Sequence, residues 1–224
     1  RKAQRAIGLA SKFDIPLITL IDTPGPDASV EAEHHGMGNA IAATMAQMAA
    51  LEVPSISVVI GEGGSGGAVA LGVADRVLML ENAIYSAVTP EDAAGLIYQD
   101  EARADEAAES LRLTARDCHE LGIVDLVVPE PPGGAHANPE EAARQLRRDL
   151  LQELAEIQSR SRRRLLRDRY KKFRNIGEYS SHFRAAITRE VNALQGLVTT
   201  GVKRITRRSR RDGELTDDVI SGSG

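Results

Sequence analysis

The chain has 224 residues, 42% hydrophobic and 27% charged, with one cysteine, no tryptophan and a net charge of −4. That is the composition of a globular protein long enough to bury a core, and a lone cysteine excludes both an internal disulfide and a four-cysteine zinc site. With no apolar run near about 18 residues and no signal-like start, the reading is a soluble, cytoplasmic protein with no membrane segment.

Residues 1–140 carry 8 basic against 21 acidic side chains, and residues 141–224 carry 20 against 11, so the two parts differ in kind. Aromatic content of 3% leaves no stacking platform for single-stranded nucleic acid, and any such contact would be electrostatic.

Taken in order, residues 2–13 read as an amphipathic helix and 16–21 as a buried strand, closed by the turn signal Asp22-Thr23-Pro24-Gly25. A helix follows over 33–51, with Ala40, Ile41, Thr44, Met45 and Met48 at helical spacing. Residues 53–60 form a second buried strand that runs into Gly61-Glu62-Gly63-Gly64-Ser65-Gly66-Gly67, and a short helix then continues to Ala74. Two short strands are expected at 76–80 and 84–88. From Thr89 to Leu121 the pattern is short helices, with Thr89 or Asp92 as a cap and Thr114-Ala115-Arg116-Asp117 as a capping box. A last strand covers 123–128, and the loop 129–139 leads through Asn138-Pro139-Glu140 into one long helix towards Arg174. A further helix over 181–197 and a charged tail over 203–224, read as unstructured, follow. The alternation of strand and helix predicts an α/β core with parallel pairing.

The glycine run is the most informative segment. Five glycines in seven positions remove the Cβ atoms that keep a ligand off the main chain, permit left-handed turns, and precede a helix whose first N–H groups are unpaired. Three readings compete. Gly61-x-Gly63-x-x-Gly66, with Glu81 about 20 residues on, matches a dinucleotide fingerprint. Alternatively the glycines only let the helix pack closely on the strand. In the third reading, adjacent N–H groups form an oxyanion hole for charge developing on a carbonyl-like oxygen. A phosphate-binding loop of the Lys-Ser/Thr type is excluded because no such pair follows.

The wider order of motifs separates these readings. Ile21-Asp22-Thr23-Pro24-Gly25, Ala32-Glu33, the glycine run, Leu78-Met79-Leu80-Glu81-Asn82, Tyr85-Ser86, Pro90-Glu91, Leu121-Gly122-Ile123-Val124-Asp125 and Pro129-Glu130-Pro131 through Gly133-Gly134-Ala135-His136 occur in one fixed sequence. Together with Arg169-Tyr170-x-x-Phe173-x-x-Ile176-Gly177 they resemble the α-subunit family of bacterial acetyl-CoA carboxylase carboxyltransferase. The resemblance runs over nearly all of residues 1–177.

That resemblance implies a crotonase (ClpP/crotonase-like) ββα spiral core over 1–137, the family's long C-terminal helix over 138–177, and an extension over 178–224. The family's amino-terminal helices and first strands would lie upstream of Arg1. The implied reaction moves a carboxyl group from carboxybiotin, carried on biotin carboxyl carrier protein, to acetyl-CoA, giving malonyl-CoA for fatty acid synthesis. The implied donors are the backbone N–H groups of Gly66 and Gly67, with Gly63, Gly64, Ser65, Gly25, Tyr85, Ser86 and Pro90 around the biotin. Implied partners are the carboxyltransferase β subunit, which would carry the zinc, the carrier protein and biotin carboxylase, in an α2β2 assembly; no metal is expected in this chain.

Glu62 is read as holding its loop by accepting backbone N–H bonds, and His136 as a structural hydrogen-bonding residue. His34-His35 read as solvated helix-start residues, and the arginine-rich 162–172 as a solvated helix face. The family pattern is broken at Pro26-Asp27-Ala28-Ser29, His35, Met37, Asp92 and Tyr98-Gln99. With the basic stretch Lys203–Arg211, these departures leave two alternatives: an enzyme acting on another acyl-CoA, or a noncatalytic, nucleic-acid-binding relative.

Overall fold

The computed structural model describes residues 1–176, and the expected helix over 181–197 and the basic tail lie outside them. Helix α1 (Lys2–Phe13) leads into strand β1 (Leu17–Thr23), followed by helices α2 (Val30–His34) and α3 (Met37–Ala50). Strand β2 (Ser55–Gly64) passes directly into α4 (Ser65–Gly72), then β3 (Arg76–Leu80) and β4 (Ile84–Ser86). Helix α5 (Pro90–Tyr98), a 3-10 turn (Glu101–Arg103), α6 (Ala104–Leu111) and α7 (Ala115–Glu120) precede β5 (Leu126–Val128), α8 (Pro139–Gln158) and α9 (Arg162–Asn175).

The sheet runs β1-β2-β3-β5, with β4 also on β2, and every pairing is parallel. β2 is the shared strand. Its first half pairs with β3 from Ile56↔Arg76 to Val59↔Met79, and its glycine half pairs with β4 from Glu62↔Ile84 to Gly64↔Ser86. Residues Ser55 to Val59 are all buried, as a strand covered on both faces requires. The two serines in this stretch are satisfied: Ser57 Oγ donates to Leu71 O at 2.6 Å and accepts from Thr19 Oγ1 at 2.8 Å.

Several boundaries differ from the sequence reading for local reasons. The helix expected over 33–51 is divided at Gly36, whose φ of 73° turns the chain between α2 and α3. The long helix expected from Asn138 to Arg174 breaks over Ser159-Arg160-Ser161 into α8 and α9. The strand expected over 84–88 stops at Ser86, whose hydroxyl donates to Val88 O at 2.6 Å and closes a turn. Thr89, Thr114 and Asn138 do cap their helices through the N–H groups of Asp92, Asp117 and Glu141.

The break before α9 lets that helix fold across the foot of the sheet. Residues 138–176 therefore pack on the same core as 1–137, through Leu146, Leu150, Leu154, Ile157, Leu165 and Phe173, and Arg1–Ile176 is one compact unit. The solvated face expected over 162–172 is corrected at two residues. Arg169 is 2% exposed; it meets both oxygens of Asp75, at 3.0 and 2.7 Å, and donates to the carbonyls of Met48 and Leu51 at the end of α3, both at 2.7 Å. Lys172 reaches Asp125 at 2.7 Å, and burial holds its ammonium below the ordinary lysine range despite that carboxylate.

Candidate active site

At the upper end of β2 the glycines are explained by close approach. The carbonyl oxygen of Pro24 lies 2.1 Å from where a Cβ on Gly64 would stand, so only glycine fits beneath the turn after β1. A Cβ on Gly61 would lie 2.5 Å from Asp22 Oδ1, and one on Gly63 would lie 2.8 Å from the Tyr85 ring. Asp22 sits where the β1–β2 register shifts, between Ile21 and Thr23. Its Oδ1 accepts the Glu62 N–H at 2.9 Å. The carboxylate that holds this segment is therefore that of Asp22, and the expectation for Glu62 is corrected.

None of the five glycines in the run has a positive φ; the left-handed residue is Ser65, at φ 50°. It occupies the sharp passage from strand to helix. Gly64 precedes α4 without a side-chain cap, so the first N–H groups of that helix, from Ser65, Gly66 and Gly67, have neither an intrahelical nor a capping acceptor. A Cβ on Gly66 would meet Ile41 at 3.3 Å, and one on Gly67 would meet Gly25 and Pro26 at 3.5 and 3.6 Å. The helix half of the run is thus less crowded than the strand half, tight at Gly66 and at ordinary contact distance at Gly67.

The elbow forms one wall of a cleft of about 320 Å³. Pro24, Glu62, Gly63, Gly64 and Ser65 line it together with Ile84 and Ser86 of the paired strand β4 and with Val88, Thr89, Pro90, Glu91 and Leu113. The structure thus brings the expected Gly63, Gly64, Ser65, Ser86 and Pro90 to one cavity. Gly66 and Gly67 lie behind Ser65 in the first turn of α4, and Gly25, at φ 137°, abuts Ser65 from below.

Tyr85 is corrected. Its ring packs under Gly63 and its hydroxyl approaches Gly72, so it supports the glycine strand instead of lining the cleft. Burial, with the Cys118 thiol alongside, pushes its phenol up to about 12, and burial pushes that thiol up to about 11. Both groups stay protonated at neutral pH.

Sequence reasoning named Ser86 and Pro90 but missed Leu113. Leu113 arrives because the Tyr85 N–H donates to Leu113 O at 2.9 Å and Thr114 bridges Ile84, contacts that no local pattern announces. Thr89 was legible only as a cap. Near the cleft end of β3, Glu130 accepts the N–H groups of Asn82 at 2.9 Å and Ala135 at 2.6 Å, and Glu81 accepts the Glu130 N–H at 3.2 Å. Glu81, the acidic residue of the dinucleotide reading, is engaged in that loop; His136 lies beside Glu130. Among the described residues no cluster of His, Cys, Asp or Glu is arranged to hold a metal ion, and no helix is long and apolar enough to cross a membrane.

A family model described as acetyl co-enzyme A carboxylase carboxyltransferase-like matches residues 1–177. The acetyl-coenzyme A carboxylase carboxyl transferase subunit alpha of Thermosynechococcus vestitus is 52% identical over 182 residues, 80% of this chain and 56% of that protein. The subunit alpha of Thermus thermophilus is 46% identical over 180 residues, 80% of this chain and 58% of its own length. The chain thus spans a little over half the length of these curated relatives. Among solved structures, a chain of a Pseudomonas malonate decarboxylase hetero-tetramer superposes with a TM-score of 0.64 at 20% identity, over 86% of this chain and 75% of that one. A transcarboxylase 12S chain superposes at 0.57 with 26% identity, over 69% and 28%. These likenesses show the crotonase-type carboxyltransferase fold.

Proposed function

The chain belongs to the acetyl-CoA carboxylase carboxyltransferase α-subunit family, and from that premise we propose that it forms the biotin-facing half of an active site that carboxylates acetyl-CoA to malonyl-CoA. The observation that carries this reading is the make-up of the cleft. Its walls hold Ile84, Val88, Leu113 and two prolines, and among the described residues its only charged ones are Glu62 and Glu91, with no lysine or arginine. A dinucleotide or the phosphates of CoA would meet two carboxylates and no cation there. A small bicyclic ring bearing one carboxylate suits apolar walls beside a row of backbone donors.

Bound carboxybiotin supplies the carboxyl group: as its bond to the ring nitrogen breaks, negative charge gathers on the ureido oxygen, the carboxyl passes to the α-carbon of acetyl-CoA, and that nitrogen takes the α-proton. This chain contributes oriented donors. The N–H groups of Ser65, Gly66 and Gly67 point out of the start of α4, with the positive end of the helix dipole behind them. Each donor held in place before charge appears is worth about 100- to 1000-fold in rate. No side-chain base is required, and Glu62 and Glu91 are left to shape the mouth. The β subunit would present the thioester across the cleft, and the carrier protein would deliver the biotin.

Malonyl-CoA formation from acetyl-CoA and a carboxylated free biotin derivative, assayed with the β subunit added and omitted, tests the reading. Turnover only with both subunits is expected; none with the partner present and any acyl-CoA offered would overturn it. Two substitutions isolate the donor. Gly67→Ala keeps the N–H and has room, whereas Gly67→Pro, tolerable in a first helical turn, removes it and should cost about 100- to 1000-fold.

A further inference from the structure

Two serines face the cleft, and their hydroxyls are used differently. Ser86 Oγ is engaged with Val88 at both its N–H and its carbonyl. Ser65 Oγ has no hydrogen-bond partner among the described residues, although the residue is half-buried and lines the cavity. Its backbone is also the one left-handed position in the run, at φ 50°, among glycines that would adopt that conformation without cost. A non-glycine residue there is disfavoured by roughly 1–2 kcal/mol. A strained residue with a free hydroxyl on the wall of a cleft points to use of that hydroxyl by a ligand.

We propose that Ser65 Oγ–H is the side-chain donor of this site, adding a third kind of contact to the backbone N–H groups and bonding the oxyanion that forms on the biotin ureido group. This deepens, and rests on, the carboxyl-transfer reading above. Ser65 lines the cleft at the start of α4, so its hydroxyl and the first-turn N–H groups can converge on one oxygen. A hydroxyl also rotates to follow an acceptor, which a backbone N–H cannot do. Because its acceptor gains charge only as the carboxyl leaves, the contact acts on turnover more than on binding.

Strain and donation make opposite demands on one substitution, and this separates them. In the assembly of this chain with the β subunit, Ser65→Gly should raise the melting temperature by about 2–4 °C through relief of strain. It should also lower kcat about 10- to 100-fold, the value of a hydrogen bond to a charged group, with KM for the biotin derivative little changed. Ser65→Ala should lower kcat equally while leaving the melting temperature where it was. Parental kcat in Ser65→Gly would overturn the proposal, as would a loss confined to Ser65→Ala, since either assigns the position to backbone shape alone. An inactive parental assembly would overturn the carboxyl-transfer reading and this inference with it, whereas an active parent with an equally active Ser65→Gly overturns the inference alone.

Discussion

At its foot, β2 begins at Ser55, whose N–H and hydroxyl both meet Asp75 Oδ2, at 2.8 and 2.9 Å, while Arg169 closes on the same carboxylate from α9. At its top the same strand ends in Gly63 and Gly64, held by the backbone of Thr23 and Pro24 on one side and by β4 on the other. The foot is buried, charged and built from side chains; the top is open and built from main chain. A strand anchored firmly at one end can give up side chains at the other, and bare backbone leaves N–H groups free to meet a ligand. The glycine run itself divides at Ser65: a Cβ on a glycine before it would collide with a neighbour at 2.8 Å or less, whereas one on Gly66 or Gly67 would meet its neighbours at 3.3 Å or more.

The largest expected effect comes from breaking the foot. Arg169→Met would leave Asp75 buried with its countercharge gone, at a cost of about 3–5 kcal/mol, read as a drop in the urea midpoint. If the midpoint hardly moves, the clamp is not what anchors β2. Next comes Gly64→Ala, whose methyl would collide with the Pro24 carbonyl; forcing the chains apart should cost about 1–3 kcal/mol or more. Its contrast is Gly67→Ala, where the added methyl finds ordinary contacts and an alanine in a helix should gain about 0.5–1 kcal/mol. Equal melting temperatures for these two variants would erase the division at Ser65.

The smallest effect concerns Glu130, the side-chain clamp beside the upper end. Burial by itself would raise its pKa, but the N–H groups of Asn82 and Ala135 and the nearby His136 outweigh that and hold it below the ordinary carboxylate range. Its contribution is therefore fully present above the unfolded-state value of about 4.3 and is lost as pH falls through the lower folded value. Glu130→Gln should lower stability modestly at neutrality and converge with the parent at acid pH, flattening the acid side of a stability-against-pH curve; an unaltered acid limb would count against the clamp.

Much of this architecture could be read from local patterns. The apolar stretch over 53–60 marked a strand buried on both faces, and Thr89, Thr114 and Asn138 marked helix starts, because a cap needs only a side chain two or three residues from the N–H it receives. The order of motifs carried the family and the position of the cleft. The role of each residue in the cleft was less legible. Glu62 and Asp22 are both acidic neighbours of the run, and only the register shift in β1 decides that Asp22 takes the backbone N–H. Tyr85 stands in a motif beside Ser86, yet alternation along β4 sends one side chain under the strand and the other into the cleft.

What the sequence by itself determined was the alternation of strands and helices, apart from the two helices that divide at Gly36 and at Ser159-Arg160-Ser161, together with the parallel pairing and the strand-to-helix elbow on which the family resemblance centres. These depend on periodicity and capping, which act within a turn or two of chain. Only the tertiary structure decided that the glycines before Ser65 serve contact, that the left-handed residue is Ser65, and that one arginine of a basic helix is buried on Asp75, 94 residues away in sequence. Close approach between distant segments is a property of how finished elements stack, and no stretch of chain carries it alone.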